Sequence, residues 1–499
     1  MRISGFASGF DIDAMVKQLM TAHRAPLEKL QQKTTRIEWQ QEAYRSISTT
    51  FVDFRNNKLS TFGQSSSIDA KKADITGNAS AVSATVTGAS TNSSLSVEVT
   101  KLAKAASVQF NTGIAGDNAS KTLGELDGWS TSSGTVTVNG VPIQFNKSTD
   151  TIQSLVKKIN DNKEAKVTAL YDSTSGKVSI TANATGEGDV VLGGDFSAAA
   201  NLITGVDPKA GENATAIVNG LQMSSQTNQI TVNGTTIQLK QLSGTGGAST
   251  ITVGTNTDKI LDTIKNFVSE YNKVLEQVNT KLGEERYRKF DPLTEEQKEA
   301  MSDKQVELWE EKARSGLLRN DSILSQTVSN LRMAATSGFG DPADKFNIQT
   351  IGITTGKWFE GGKLVIENEQ ALRDAIEADP EKIMSLFTAK SAEEPAAGYS
   401  KVNNPNTGVF TRMSDILMDS LKQLSDRAGT SQTSTSSTGS FLENSLLGTQ
   451  KRDLNSRMAD LNRRLTMLET QYYKQFTAME TAINRYNSQA GSLGSFMNG

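Results

Sequence analysis

Residues 454–486 read LNSRMADLNRRLTMLETQYYKQFTAMETAINRY, and this stretch decides the architecture of the chain. Leu454, Met458, Leu461, Leu465, Leu468, Tyr472, Met479 and Tyr486 recur at steps of four and three or of seven, the spacing of a coiled-coil seam. Phe476 and Ile483 widen the stripe to one side. A helix of roughly 45 residues is on the order of 65 Å long, beyond an ordinary globular helix. It needs a partner of similar length.

The other end of the chain supplies one. Within residues 11–62, Leu27, Leu30, Ile37, Tyr44, Ile47, Phe51 and Phe54 fall at helical spacing, and Leu30, Ile37, Tyr44 and Phe51 repeat every seven. Lys33 and Gln40 leave the first half of this seam polar, whereas Ile47 and Phe54 complete the second half. The two terminal segments are therefore expected to pair antiparallel as a coiled coil. Pro26 fixes its own φ and biases Ala25 away from the α region, so the spacing predicts a break there. A short helix over 11–23 would end at His23 and Arg24, whose charge suits a helix C-terminus. The segment AGTSQTSTSSTGS (428–440), rich in Ser, Thr and Gly, predicts a flexible hinge before the C-terminal helix.

Between about 75 and 255 the language changes to short alternating runs of Val, Thr, Ile, Ser and Asn, which is that of strands and tight turns. Asn139-Gly140, Asn219-Gly220 and Asn233-Gly234 each sit between such runs and predict type I′ hairpins, whose two central residues need positive φ. Ile152, Leu155, Val156 and Ile159 mark one helix face, and VTALY (167–171) with KVSIT (177–181) makes another hairpin. Residues 134–182 thus spell strand, strand, helix, strand, strand. From Asp258 to Leu282 a broad apolar face through Ile260, Ile264, Phe267, Tyr271 and Val278 predicts a long amphipathic helix. In the charged run 284–314, Thr294 with Gln297 and Ser302 with Gln305 fit capping boxes. A strand pair is expected near Ile351 to Ile366.

The 499 residues suggest roughly three domains at about 150 residues each. With 52 Lys+Arg against 55 Asp+Glu, a net charge of −3 gives no footprint for nucleic acid or anionic lipid. The absence of Cys removes thiolate chemistry, disulfides and Cys-ligated zinc, and the single His23 cannot build a two-His metal site. Glu295-Glu296 and Glu310-Glu311 are adjacent helical positions in a charged run, which is a solvated face and not a catalytic pair. Gly246-Gly247 and Gly361-Gly362 lack the context of a phosphate cradle and read as turns. No enzyme, cofactor or metal is expected. MRISGFASGFDIDAMV has no basic stretch leading into an apolar run, and no segment reaches the about 18 apolar residues of a membrane span. If the protein leaves the cell, no cleaved secretory signal is expected, and no membrane insertion.

The opening ISGFASGFDIDAMVKQLM (3–20), with Gly5, Ser8, Gly9 and Asp11, followed by RAPLEKL (24–30), resembles the N-terminus of bacterial flagellar filament cap proteins of the hook-associated family. The likeness extends to KARSGLLRNDSIL (312–324), to IGITTGKWFEGGKLVIENEQALRDAIEADPEKIMSLF (351–387) and to LETQYYKQFTAMETAINRYNSQ (468–489). The unit at 134–192 is similar to the small repeat inserted in flagellins and hook-associated proteins.

The resemblance implies a homo-oligomeric ring at the distal filament tip, extracellular, that promotes folding and insertion of exported flagellin and prevents its loss. It implies export through the flagellar secretion channel, with the export apparatus and a cytoplasmic export chaperone as partners. Terminal coiled-coil legs would grip the filament end through Leu30, Ile37, Tyr44, Ile47, Phe51, Leu461, Leu465, Leu468, Tyr472, Phe476, Met479 and Ile483.

The expected class is α+β multidomain. Residues 1–42 and 452–499 form the legs; 43–72 and 256–427 a helical body; 428–451 the hinge and start of the last helix. Residues 73–120 and 205–255 form one β-rich domain, and 121–204 an inserted α+β domain with the repeat. Two rivals remain open at this point. One is another axial component, a flagellin or hook–filament junction protein; the other is a tip adhesin for host mucus or glycans.

Overall fold

The computed structural model describes residues 11–131, 133–196, 202–344 and 346–497. The chain divides into two compact units, one of residues 1–68 with 258–499 and the other of residues 69–257.

The first unit is helical. Its N-terminal helix, Ile12–Asp53, starts at Asp11, whose carboxylate accepts from Ala14 N at 2.9 Å. It widens into a π-helical segment, Phe54–Leu59. The helix Thr257–Gly283 buries Ile260, Ile264, Phe267, Tyr271 and Val278 along one face, as its spacing predicted. Phe267, Phe387 and Phe410 stack within 4.8–6.0 Å of one another at the centre of this body. The helix Val409–Ala428 buries Met413, Leu417, Leu421 and Leu424. The capping boxes at Thr294 and Ser302 form, and strands Ile353–Thr355 and Leu364–Ile366 pair antiparallel. The C-terminal helix spans Leu446–Met497.

The second unit holds two cores. A five-stranded antiparallel sheet runs in the order β1 (Lys71–Gly77), β15 (Ser249–Thr255), β3 (Ser93–Lys101), β11 (Ala214–Val218) and β12 (Leu221–Ser225). It shares a core of Leu95, Val97, Ala216, Ile237 and Ile251 with a sheet of β13 (Gln229–Val232), β14 (Thr235–Leu239) and β2 (Val82–Thr85). The other core lies among β10 (Thr204–Lys209), β4 (Ala105–Asn111), β8 (Lys177–Thr185) and β7 (Val167–Asp172), with β6 (Val141–Gln144), β5 (Thr135–Val138) and β9 (Leu192–Gly194). Helix Ile152–Asp161 buries all four of its apolar residues there. The Asn-Gly turns form as expected, with φ of 51°, 48° and 49° at Asn139, Asn219 and Asn233 and positive φ at each following glycine.

Four expectations are corrected. The N-terminal helix runs unbroken through Pro26. An interior proline costs about 3 kcal/mol, but Ile12, Val16 and Met20 before it and Leu27 after it pack on the same cluster of the C-terminal helix, which holds both flanks in line. His23 is accordingly mid-helix and caps nothing. The segment 428–440 is no free hinge, because the Arg45 guanidinium donates to Ser437 O at 2.8 Å and Gly439 O at 2.6 Å and lies 3.7 Å from the centre of the Phe441 ring. The cut between the β-rich regions falls near Lys104 and not at 120/121, since Ala106, Val108, Phe110 and Ile114 share a core with Trp129, Val136 and Ile159. β10 pairs with β4, so residues 205–209 belong with that core too.

Candidate functional site

The terminal helices meet in an apolar cluster of Ile12, Val16, Met20 and Leu465, with Leu27, Leu461, Leu468, Tyr472, Tyr473 and Phe476 half-buried around it. Its flanks are polar and fix the direction. The Tyr473 hydroxyl donates to Asp13 Oδ1 at 2.8 Å, Arg24 lies 3.9 Å from Glu469, and Lys451 lies 2.7 Å from Glu38. As one number rises the other falls, so the pair is antiparallel. The Tyr472 hydroxyl and His23 Nε2 are 3.3 Å apart. Exposed ion pairs of this kind contribute at most about 1 kcal/mol each. The apolar seam holds the helices together.

Among the described residues the seam is closed at one end only. Leu465 is 8% exposed, whereas Met479, Tyr486 and Leu493, spaced seven apart on the same helix, are 37%, 71% and 63% exposed. Ile483 beside them is half-buried. An open heptad stripe is the surface that a further helix would cover.

The expected contact residues divide four ways, with Met479 and Ile483 on the open stripe. Leu461, Leu465, Leu468, Tyr472 and Phe476 come together in the cluster. Leu30 and Ile37 are half-buried farther along the N-terminal helix. Tyr44, Ile47 and Phe51 are sealed in the helical body at 0–2% exposure. The Tyr44 hydroxyl donates to Asp321 Oδ2 at 2.6 Å, and burial followed by this carboxylate pushes the phenol well above its ordinary pKa. Sequence reasoning left out Ile12, Val16, Met20 and Tyr473. The i, i+4, i+8 spacing of the first three was the available signal, and the expected break at Pro26 detached it from the seam.

Among the described residues no cluster of His, Asp and Glu could hold a metal, and no helix is long and apolar enough to cross a membrane. A pocket of about 490 Å³ beside the π-helical segment is lined by Arg55, Lys390, Phe410 and hydroxyl side chains, with no carboxylate or imidazole in its wall.

An antiparallel pair of the N- and C-terminal helices, with a helical body and an inserted β-rich unit between them in sequence, has the architecture of a structural assembly protein. The family model for the flagellar hook-associated protein 2 N-terminus matches residues 8–106, and that for its C-terminus matches residues 211–488. The chain belongs to the flagellar hook-associated protein 2 family and is a flagellar filament cap protein.

Flagellar hook-associated protein 2 of Halalkalibacterium halodurans is 29% identical over 99% of both chains. The B-type flagellar hook-associated protein 2 of Pseudomonas aeruginosa is 25% identical over 97% of this chain and 93% of its own. The crystal structure of the D1-D2-D3 domains of the flagellar cap protein FliD from Escherichia coli shares the fold at a TM-score of 0.54 and 19% identity, covering 83% of this chain and 99% of that one. The flagellin, junction-protein and adhesin readings are not favoured by these matches. The stretch between the two family models, 107–210, largely coincides with the second core of the β-rich unit.

Proposed function

We propose that copies of this chain close into a ring on the distal filament end, with the terminal helix pairs as legs and the stripe through Met479, Ile483, Tyr486 and Leu493 docked against helices of the filament. The observation that carries this is the half-closed seam: the same heptad is buried at Leu465 and open from Met479 onward. Of the expected contact residues, Met479 and Ile483 offer the surface, while Leu461, Leu465, Leu468, Tyr472 and Phe476 hold the leg together. Confinement under the ring and apolar contact would favour folding and insertion of emerging flagellin without bond chemistry. Family membership supports arrival through the flagellar export apparatus with a cytoplasmic chaperone.

Electron microscopy of the purified protein at rising concentration, alone and with preformed flagellin filaments, tests the reading. Closed particles that also sit on one filament end support it, and their symmetry gives the subunit number. Long fibres from the protein alone overturn it. For export, the protein recovered from culture medium should carry its intact N-terminus by mass; a trimmed start would exclude export without cleavage.

A further inference from the structure

We propose that the edge strand β12 is a two-fold contact site for a second copy of this chain, made by antiparallel strand addition. β12 ends the five-stranded sheet and, among the described residues, pairs only with β11. The register sets Leu221 opposite Val218, Met223 opposite Ala216 and Ser225 opposite Ala214. The two-residue Asn219-Gly220 turn makes Leu221 and Val218 its hydrogen-bonded closing pair, so Gln222 and Ser224 direct their N–H and C=O groups outward. Both residues are exposed, and no other described element bonds to their backbone. A row of free backbone groups is a template for another strand.

Four other edges of the same unit are guarded. Asn160 fills the edge of β7 by accepting from Ala169 N at 2.6 Å and donating to Ala169 O at 2.9 Å, as a neighbouring strand would. β6 carries Pro142, β10 carries Asp207, Pro208 and Lys209, and β1 carries Lys71, Lys72 and Asp74. β12 has no charge, no proline and no plug, and lies in an uncharged run from Asn213 to Leu239.

Self-complementarity names the occupant. Paired with itself about Met223, β12 sets Met223 opposite Met223, Gln222 opposite Ser224 and Leu221 opposite Ser225. No like charges meet, and Gln222 and Ser224 form backbone bonds with their counterparts. Leu221, 66% exposed, and the half-buried Met223 gain cover. The same operation on β1 about its central residue would set Asp74 against Asp74. An isologous contact closes at two copies, so it is distinct from a ring contact and does not rest on the capping geometry.

The chain has no Cys, which makes the test direct. Met223→Cys sits at the two-fold axis as a non-hydrogen-bonded pair, where Cα atoms lie about 4.5 Å apart, within disulfide range. Mild oxidation of the full-length protein should convert it to a dimer band on a non-reducing gel, reversed by thiol. Gln222→Cys, whose copies would sit about 8–9 Å apart, should not cross-link, and adding Ser224→Lys to Met223→Cys should abolish the dimer. Leu221→Cys with Ser225→Cys repeats the test without altering Met223. Absence of dimer in both designs, or equal cross-linking of Gln222→Cys, would overturn the proposal. Ring assembly in electron microscopy should persist in Ser224→Lys, which separates this contact from capping.

Discussion

The hydroxyl of Tyr44, from the middle of the N-terminal helix, lies 2.6 Å from Asp321 Oδ2, and the other oxygen of the same carboxylate caps the helix Ser322–Thr336 by accepting from Leu324 N. One carboxylate therefore ties the start of one body helix to a wholly buried tyrosine 277 positions away in sequence.

This pair predicts an alkaline limit to stability. Burial, then hydrogen bonding to Asp321, raises the Tyr44 phenol, and burial raises Tyr271. A raised phenol contributes its full stability below the unfolded pKa of about 10 and loses it as pH climbs beyond. Denaturation of the helical unit should be level in this respect up to about pH 10 and weaken above it. Tyr44→Phe should cost roughly 1–2 kcal/mol at neutral pH by leaving the carboxylate short of a partner, and should flatten part of the alkaline fall in pH-dependent urea titrations.

In the β-rich unit the acid side is set by Asp195. Burial acts to raise its carboxyl, but the backbone N–H groups of Ser133, Thr135 and Gly134 and the Ser133 hydroxyl outweigh it, so the group lies below its ordinary pKa. A lowered carboxyl contributes stability above the unfolded value near 4 and loses it as pH falls through the folded one. Asp195→Asn should destabilise this unit by about 3 kcal/mol at pH 7. The penalty should shrink below about pH 4, as thermal melts across pH would report.

Replacing Leu465 and Leu468 with Asp puts unpaired charge into the seam against Val16 and Met20. Hydrogen exchange in residues 12–27 should rise to that of an unpacked helix, a loss of several kcal/mol of local protection, while β-unit melting stays unchanged. Filament-end binding should disappear. Unchanged binding with the seam open would remove the leg assignment.

Arg45 pins the Ser/Thr-rich segment through Ser437 O, Gly439 O and the Phe441 ring. Arg45→Ala should release it. Cation–π and hydrogen-bond losses of about 1 kcal/mol correspond to roughly fivefold faster proteinase K cleavage within 431–440, with the global melt little moved.

The limits of the sequence lie where a local rule meets a distant contact. Proline chemistry marks a break at Pro26, and composition marks a hinge at 428–440. Both readings describe an isolated chain correctly. They fail because the flanks of Pro26 share one cluster on the C-terminal helix, and because a single guanidinium gathers two carbonyls and a ring. The cut at 120/121 fails for a related reason. Residues 105–131 carry no local mark of the core they join, and membership is decided by strand pairing with β8 and β10.

What the sequence alone determined is whatever depends on a residue and its near neighbours: the heptad of the terminal helices, the three Asn-Gly turns, the capping boxes and the alternation of the strands. Each is a property of side-chain period or of allowed φ, and needs no third party. Only the tertiary structure decided which part of the heptad is closed. The stripe runs evenly from Leu465 to Tyr486 in sequence, yet Leu465 is buried and Tyr486 open. Burial is set by where the partner helix lies, and a repeating pattern carries no record of that position.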